Sequence, residues 1–110
     1  TNNMTMQSFI ISNISPGEAK KRLDSEKGII LLDVRSEGEY KEKHIKGSKV
    51  FPLETLENSV ETKIPNKNTT IFVYCNTGNK SRKAAELLID KEYTNVYDLG
   101  GIVNWPYETE

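Results

Sequence analysis

Ile29-Ile30-Leu31-Leu32-Asp33-Val34 is an apolar run broken by one carboxylate, with no polar alternation along it. A strand of that kind has no face to give to water, so it belongs in the middle of a parallel sheet with helices on both sides. Thr70-Ile71-Phe72-Val73-Tyr74-Cys75 is a second strong strand, rich in β-branched and aromatic residues. Helical patterns and turn signals fill the space around these two runs. Strands and helices that alternate in this way predict a layered α/β domain.

The remaining elements follow from local signals. Phe9–Ile11 predicts a short first strand, and Ser15-Pro16-Gly17-Glu18 supplies an N-cap, a proline at the first helical position and a capping-box glutamate. The helix that follows is expected to run through about Leu23. Ser36-Glu37-Gly38-Glu39 repeats the capping-box spacing and opens a short polar helix near Tyr40 and Lys43. Val50-Phe51 is a brief strand stopped by Pro52, and Leu53–Val60 a further short helix. Ser81–Tyr93 places Ala84, Ala85, Leu87 and Leu88 on one helical face. Asn95–Leu99 reads as the last strand, broken by Gly100-Gly101, and Ile102–Trp105 as a short closing helix limited by Pro106. Residues 8–110 are read as one domain, behind a flexible polar segment, residues 1–7.

Charge and cysteine content exclude whole classes of function. The chain has 110 residues, 15 Lys+Arg against 16 Asp+Glu, and a formal charge of −1, so it has no broad basic footprint for nucleic acid or an anionic membrane. No apolar stretch approaches the roughly 7–15 residues of a signal-peptide core or the ~20 of a membrane span. At 35% apolar, or about 41% with its glycines, the chain lies a little below the globular average of roughly 45–50%, which predicts a thin core. One Cys and one His can form neither an internal disulfide, nor a CxxC redox pair, nor a metal cage. No metal and no cofactor are expected, and the free thiol suits a reducing, cytoplasmic setting.

That single thiol, Cys75, closes a buried strand and opens the loop Asn76-Thr77-Gly78-Asn79-Lys80. Ligands of open α/β sheets bind beyond the carboxyl ends of the strands, so Cys75 stands at the functional edge. Small polar residues with a glycine can turn successive backbone N–H groups inward as a nest, and the next helix adds its own free N–H groups and positive dipole end. Lys80 and Arg82 stand beside that helix start. Such a cradle stabilises an anion on sulfur, which makes Cys75 a candidate nucleophile. The competing reading is that a free cysteine merely fills a core; the glycine loop and the two cations favour chemistry.

These residues resemble the single-domain rhodaneses, the small sulfurtransferase modules. Leu32-Asp33-Val34-Arg35, Glu39-Tyr40, His44-Ile45, Gly47 and Pro52-Leu53 are similar to a first signature of the form LDVR…EY…GHI.GA…NIPL. Cys75 through Ser81 resembles the active-site loop C.SGNRS, and Asn95-Val96-Tyr97-Asp98-Leu99 with Gly100-Gly101 and Trp105 resembles NVY.L.GG...W. The resemblance spans roughly Ser15 to Trp105. It implies a three-layer rhodanese-like fold, a mainly parallel five-stranded sheet with helices on both faces. It also implies a persulfide on Cys75, held by the loop Asn76, Thr77, Gly78, Asn79, Lys80 and Ser81. Sulfur would then pass from a small donor such as thiosulfate to cyanide, a thiol or a protein acceptor. No general base is required for an ionised thiolate, and a monomer is expected. Three departures stand out: Lys80 where arginine is usual, Lys43 where glycine is usual, and Ser48 for alanine. Lys80 brings a point charge in place of a bidentate fork, which bears on donor choice.

Asp33 and Arg35 end a buried strand at the same edge as Cys75; Asp33 is read as architectural, Arg35 as either architectural or pocket-forming. His44 is read as structural, Trp105 as a core or lid aromatic, and Lys20-Lys21-Arg22 and Lys41–Lys46 as solvated faces. Two alternative functions remain open at this point. A cysteine-dependent phosphatase or arsenate reductase also uses a thiolate in an anion loop, but needs C-x5-R, whereas Arg82 falls one residue too late and Lys80 one too early. A non-catalytic interaction module has no use for an intact cysteine loop.

Overall fold

A computed structural model of the protein describes residues 11–110. Its elements in chain order are β1 (Ser12–Asn13), α1 (Pro16–Ser25), β2 (Ile30–Asp33), α2 (Glu37–Glu42), β3 (Lys49–Val50), α3 (Leu53–Lys63), β4 (Thr70–Cys75), α4 (Asn79–Asp90) and β5 (Asn95–Gly101), closed by a 3-10 turn, Ile102–Asn104. The strands form one five-stranded sheet in the order β1-β5-β4-β2-β3. Every neighbouring pair is parallel. The two apolar runs, β2 and β4, lie side by side inside it, in register from Ile30 opposite Ile71 to Asp33 opposite Tyr74.

The buried strands divide their side chains between two cores, as alternation along a strand requires. Leu32, Val34, Ile71, Val73 and Cys75 face one side with Leu56 and Val60 of α3 and Ala84, Ala85 and Leu88 of α4. Leu31, Phe72, Tyr74 and Leu99 face the other with Ala19 and Leu23 of α1, Ile45 and Trp105. The α1 and α2 caps form as the spacing predicts. Ser15 Oγ accepts from Glu18 N at 3.1 Å, and Ser36 and Glu39 form a reciprocal capping box.

Several boundaries differ from the sequence expectation, each for a physical reason. Phe9 and Ile10 lie outside the described residues; the first strand pairs at Ser12–Asn13, against Tyr97 and Asp98. Helix α4 starts at Asn79, two residues before Ser81, because the left-handed Gly78 (φ 110°) turns the chain directly from loop to helix. It ends at Asp90, after which Glu92 is left-handed (φ 73°) and Tyr93 folds back to donate from its hydroxyl to Ile64 O at 2.6 Å. Gly100-Gly101 does not break β5: the strand runs through both, with a bulge between the residues opposite Val73 and Tyr74. The final segment is also used. His44 and Glu110 exchange two backbone hydrogen bonds at 2.9 and 2.8 Å, pairing Ile45 with Thr109 across a bridge that local patterning does not encode.

The sheet order places a crossover point between β2 and β4, since the chain leaves β2 toward one edge and β4 toward the other. Open α/β sheets form their ligand crevice at that point, beyond the strand ends. Cys75 and Asp33 are the last residues of those two strands.

Candidate active site

Cys75 is 3% exposed and sits at the base of the loop. Its Sγ accepts from Gly78 N at 3.0 Å and from Ser81 N at 3.3 Å. The N–H groups of Thr77, Asn79 and Lys80 have no acceptor among the described residues. Three further N–H groups of the loop are thus left without a protein partner among the described residues. The left-handed conformation of Gly78 turns its N–H onto sulfur, a geometry that a β-carbon would strain. The expected nest across Asn76–Lys80 is thus narrower at sulfur itself, where Gly78 and the helical Ser81 make the contacts.

The loop is fixed at both ends. At its start, Asn76 Oδ1 accepts from Arg35 Nη1 at 3.2 Å and Asn76 Nδ2 donates to Glu39 Oε2 at 2.7 Å. Arg35 is itself immobilised: it pairs with Asp33 at 2.7 Å, with side-chain exposures of 6% and 0%, and donates to Lys43 O at 2.6 Å. The hydrogen bonds that Arg35 donates to the Asp33 carboxylate, with their mutual attraction, outweigh burial and raise the Arg35 pKa. The Ser36 backbone N–H, followed by the Asn76 amide, holds the Glu39 carboxyl below the usual carboxylate range. At the other end, Ser81 Oγ donates to Asp98 Oδ1 at 2.7 Å.

Gly101 forms the floor. A β-carbon at Gly101 would lie 2.2 Å from Asn76 O and 2.8 Å from Thr77 Cα. Strand β5 can pass under the loop only without a side chain there. Lys80 and Arg82 are exposed at the start of α4 and take part in no salt bridge among the described residues, which leaves both charges to the surface beside the loop.

The site residues read from the sequence, Cys75 through Arg82 with Asp33 and Arg35, lie together at one sheet edge, in different capacities. Cys75 and Asn76 through Ser81 form the cradle. Asp33 and Arg35 are architectural, with Arg35 reaching the loop through Asn76; Arg82 flanks it, its backbone N–H donating to Gly78 O at 3.2 Å and its side chain exposed. Glu39, Asp98 and Gly101 support the loop and carried no site role in the sequence reading. The capping box already fixes Glu39 at the start of α2, and the acid before Leu99-Gly100-Gly101 is a turn-forming signal for Asp98. His44 is held structurally, its Nδ1 2.7 Å from Tyr40 O and its ring stacked on Tyr40 at 3.7 Å. Trp105 packs in the second core. Arg22 is not simply solvated, since its guanidinium lies over the Phe72 and Tyr97 rings.

Residues 15–107 match the family model described as Rhodanese-like domain. The chain belongs to the rhodanese-like domain family. It is 38% identical over 71 residues to thiosulfate sulfurtransferase PspE of Escherichia coli, covering 64% of this chain and 68% of that one. It is 30% identical over 96 residues to thiosulfate sulfurtransferase GlpE of Coxiella burnetii, covering 86% of this chain and 84% of that one. The solved structure of a rhodanese with anions from E. coli superposes with a TM-score of 0.70 at 33% identity, covering 74% of this chain and 96% of that one. The rhodanese-like fold is the layered, five-stranded arrangement expected from the sequence, here with every strand pair parallel. Among the described residues no helix is long and apolar enough to cross a membrane.

Proposed function

We propose that this rhodanese-like protein is a sulfurtransferase that carries a sulfane sulfur on Cys75. The observation that carries the reading is the sulfur itself: a buried Sγ that accepts two backbone N–H groups of a loop whose N–H groups at Thr77, Asn79 and Lys80 have no acceptor among the described residues. A neutral thiol gains little from such an environment, whereas an anionic sulfur gains charge-assisted hydrogen bonds.

In the first half-reaction the Cys75 thiolate attacks the outer sulfur of thiosulfate. A Cys–S–S bond forms, the S–S bond of thiosulfate breaks, and its electron pair departs with sulfite. The persulfide that remains carries one negative charge on its terminal sulfur, about 2 Å farther out. On this reading the loop N–H groups that have no protein acceptor, those of Thr77, Asn79 and Lys80, stabilise the transferred charge as oxyanion donors do. In the second half-reaction cyanide or an acceptor thiolate attacks the terminal sulfur, and the electron pair of the Cys–S–S bond returns to Cys75. Neither step transfers a proton once Cys75 is a thiolate, so these steps call on no general base. The lone cysteine has no internal partner, so the sulfur leaves to an external acceptor.

Two named thiosulfate sulfurtransferases among the relatives support this donor. Lys80 and Arg82 attract a dianion electrostatically, and Lys80 does so as a point charge. The phosphatase reading is disfavoured by Ser81. It occupies the position where C-x5-R requires arginine, yet it is fully buried and bonded to Asp98. We further take residues 8–110 to act as one domain and a monomer, in a reducing, cytoplasmic setting. Sulfite release from thiosulfate in the presence of cyanide, set against hydrolysis of an aryl phosphate, tests the assignment. Sulfite release dependent on Cys75 is expected, and phosphate release without sulfur transfer would overturn it.

A further inference from the structure

Asp98 is a buried carboxylate that the sulfur-transfer steps do not use. A charge removed from water must be matched by hydrogen bonds, and one oxygen of Asp98 receives two: Ser81 Oγ donates to Oδ1 at 2.7 Å and Gly100 N donates to the same atom at 2.9 Å. The two donors belong to the two segments that shape the cradle. Ser81 is the residue whose backbone N–H reaches Cys75 Sγ at 3.3 Å, and its side chain is fully buried; Gly78 O lies 3.0 Å from the same hydroxyl, but the single proton goes to the nearer, anionic acceptor Asp98. Gly100 leads into Gly101, the floor under Asn76 and Thr77.

Local backbone geometry explains how a strand residue reaches both. Asp98 lies opposite Val73 and Gly100 opposite Tyr74, so Leu99 is an extra residue in β5. Such a bulge re-aims side chains next to functional sites. The bond from Asp98 to the N–H two residues on closes an Asx-type turn, and the left-handed Gly100 (φ 91°) completes the bend.

We propose that Asp98 is a positioning residue for sulfur transfer: it ties the first turn of α4 to the β5 bend, and through Ser81 it holds a cradle N–H on the Cys75 sulfur. Its contribution is as a hydrogen-bond acceptor and not as a charge, since a second anion beside a thiolate or persulfide opposes the charge the cradle stabilises. This rests on the persulfide reading above.

Those two roles separate by substitution. Asp98→Asn removes the charge but retains an oxygen to accept from Ser81 and Gly100; Asp98→Ala removes both bonds, and Ser81→Ala removes one oxygen atom from the other partner. Expected for kcat/KM with thiosulfate are a loss of about tenfold in Asp98→Ala and in Ser81→Ala, less than removal of a whole oxyanion donor because the N–H is misaligned and not deleted. Asp98→Asn should stay within about threefold of the parent, and the Asp98→Ala/Ser81→Ala double variant should lose no more than Asp98→Ala alone, because the bond between the two side chains is already absent there. Alkylation of Cys75 by iodoacetamide reads the same cradle without any sulfur transfer: it should slow in both alanine variants and not in Asp98→Asn. A parent protein that forms no persulfide overturns the functional reading, while the alkylation series still tests Asp98. If Asp98→Ala does not fold, Ser81→Ala and Asp98→Asn carry the test. Losses that multiply in the double variant, or an Asp98→Asn as impaired as the alanine variants, overturn the positioning role.

Discussion

Gly101→Ala adds one methyl group at the point where strand and loop are closest. The new Cβ would meet Asn76 O at 2.2 Å, Asn76 C at 2.8 Å and Thr77 Cα at 2.8 Å, all of them backbone. No side-chain rotation can relieve these contacts, so the loop must lift by about 1 Å, or the end of β5 must drop, at an overpacking cost of about 1–3 kcal/mol. For a domain of this size that corresponds to a fall in Tm of roughly 4–12 °C. The functional consequence is larger. Asn76 follows Cys75 directly, and a shift of that size misaligns the Gly78 and Ser81 N–H groups, now 3.0 and 3.3 Å from Sγ. Loss of aligned donors to a charged atom predicts a fall of about a hundredfold in sulfite release from thiosulfate, measured below the lowered Tm on folded protein. Gly28→Ala, between α1 and β2, is the control: its φ is +85°, but nothing lies within 4 Å of its added Cβ, so it costs about 1–3 kcal/mol of backbone strain without pressing on the loop. A Gly101→Ala protein with unchanged Tm and unchanged sulfite release would refute the view that β5 shapes the cradle.

Other outcomes follow from the same geometry. Arg35→Ala leaves Asp33 charged, fully buried and unpaired, and should destabilise the fold by about 3–5 kcal/mol in urea titration; stability within 1 kcal/mol of the parent, on the order of a surface substitution, counts against an architectural Arg35. Lys80→Arg supplies a bidentate partner and should lower KM for thiosulfate severalfold, while Lys80→Ala raises it. Because Lys80 is exposed, the difference between these variants should shrink as salt rises from 0.05 to about 0.5 M, and a salt-independent difference argues against a screened charge effect. Glu39→Ala frees one side of the Asn76 anchor and one half of the capping box. It should cost about 1 kcal/mol in thermal unfolding and slow sulfur loading more than that loss explains, an excess absent if Glu39 serves the helix alone.

How much of this was legible in the sequence depended on whether the signal was local. The β2 run and β4 were readable because burial on both faces is written directly into consecutive side chains, and the bounds of β4 agree with the sequence reading. The caps of α1 and α2 were readable because Ser15 and Ser36 act within three residues of themselves. Cys75 and its loop were found from a strand end, a glycine and a helix start, all contiguous. The supports of the loop were not, because they come from elsewhere in the chain. Asn76 meets Glu39 across 37 residues and Arg35 across 41, and no periodicity encodes such pairs. Gly100-Gly101 looked like a strand breaker because glycine weakens strands on average. Its purpose here is close backbone approach, visible only once β5 and the loop share space. The pairing of Thr109 with Ile45 escaped for the same reason.

The central claim is that Cys75 carries sulfur as a persulfide anion held by its loop. Incubating the protein with thiosulfate alone, removing the donor, and measuring the intact mass addresses it most directly. A gain of one sulfur atom is expected, located on Cys75 by peptide mapping, lost on addition of cyanide with formation of thiocyanate, and absent in Cys75→Ala, which should remain folded. An unchanged mass in the parent protein, or the same gain in Cys75→Ala, contradicts it.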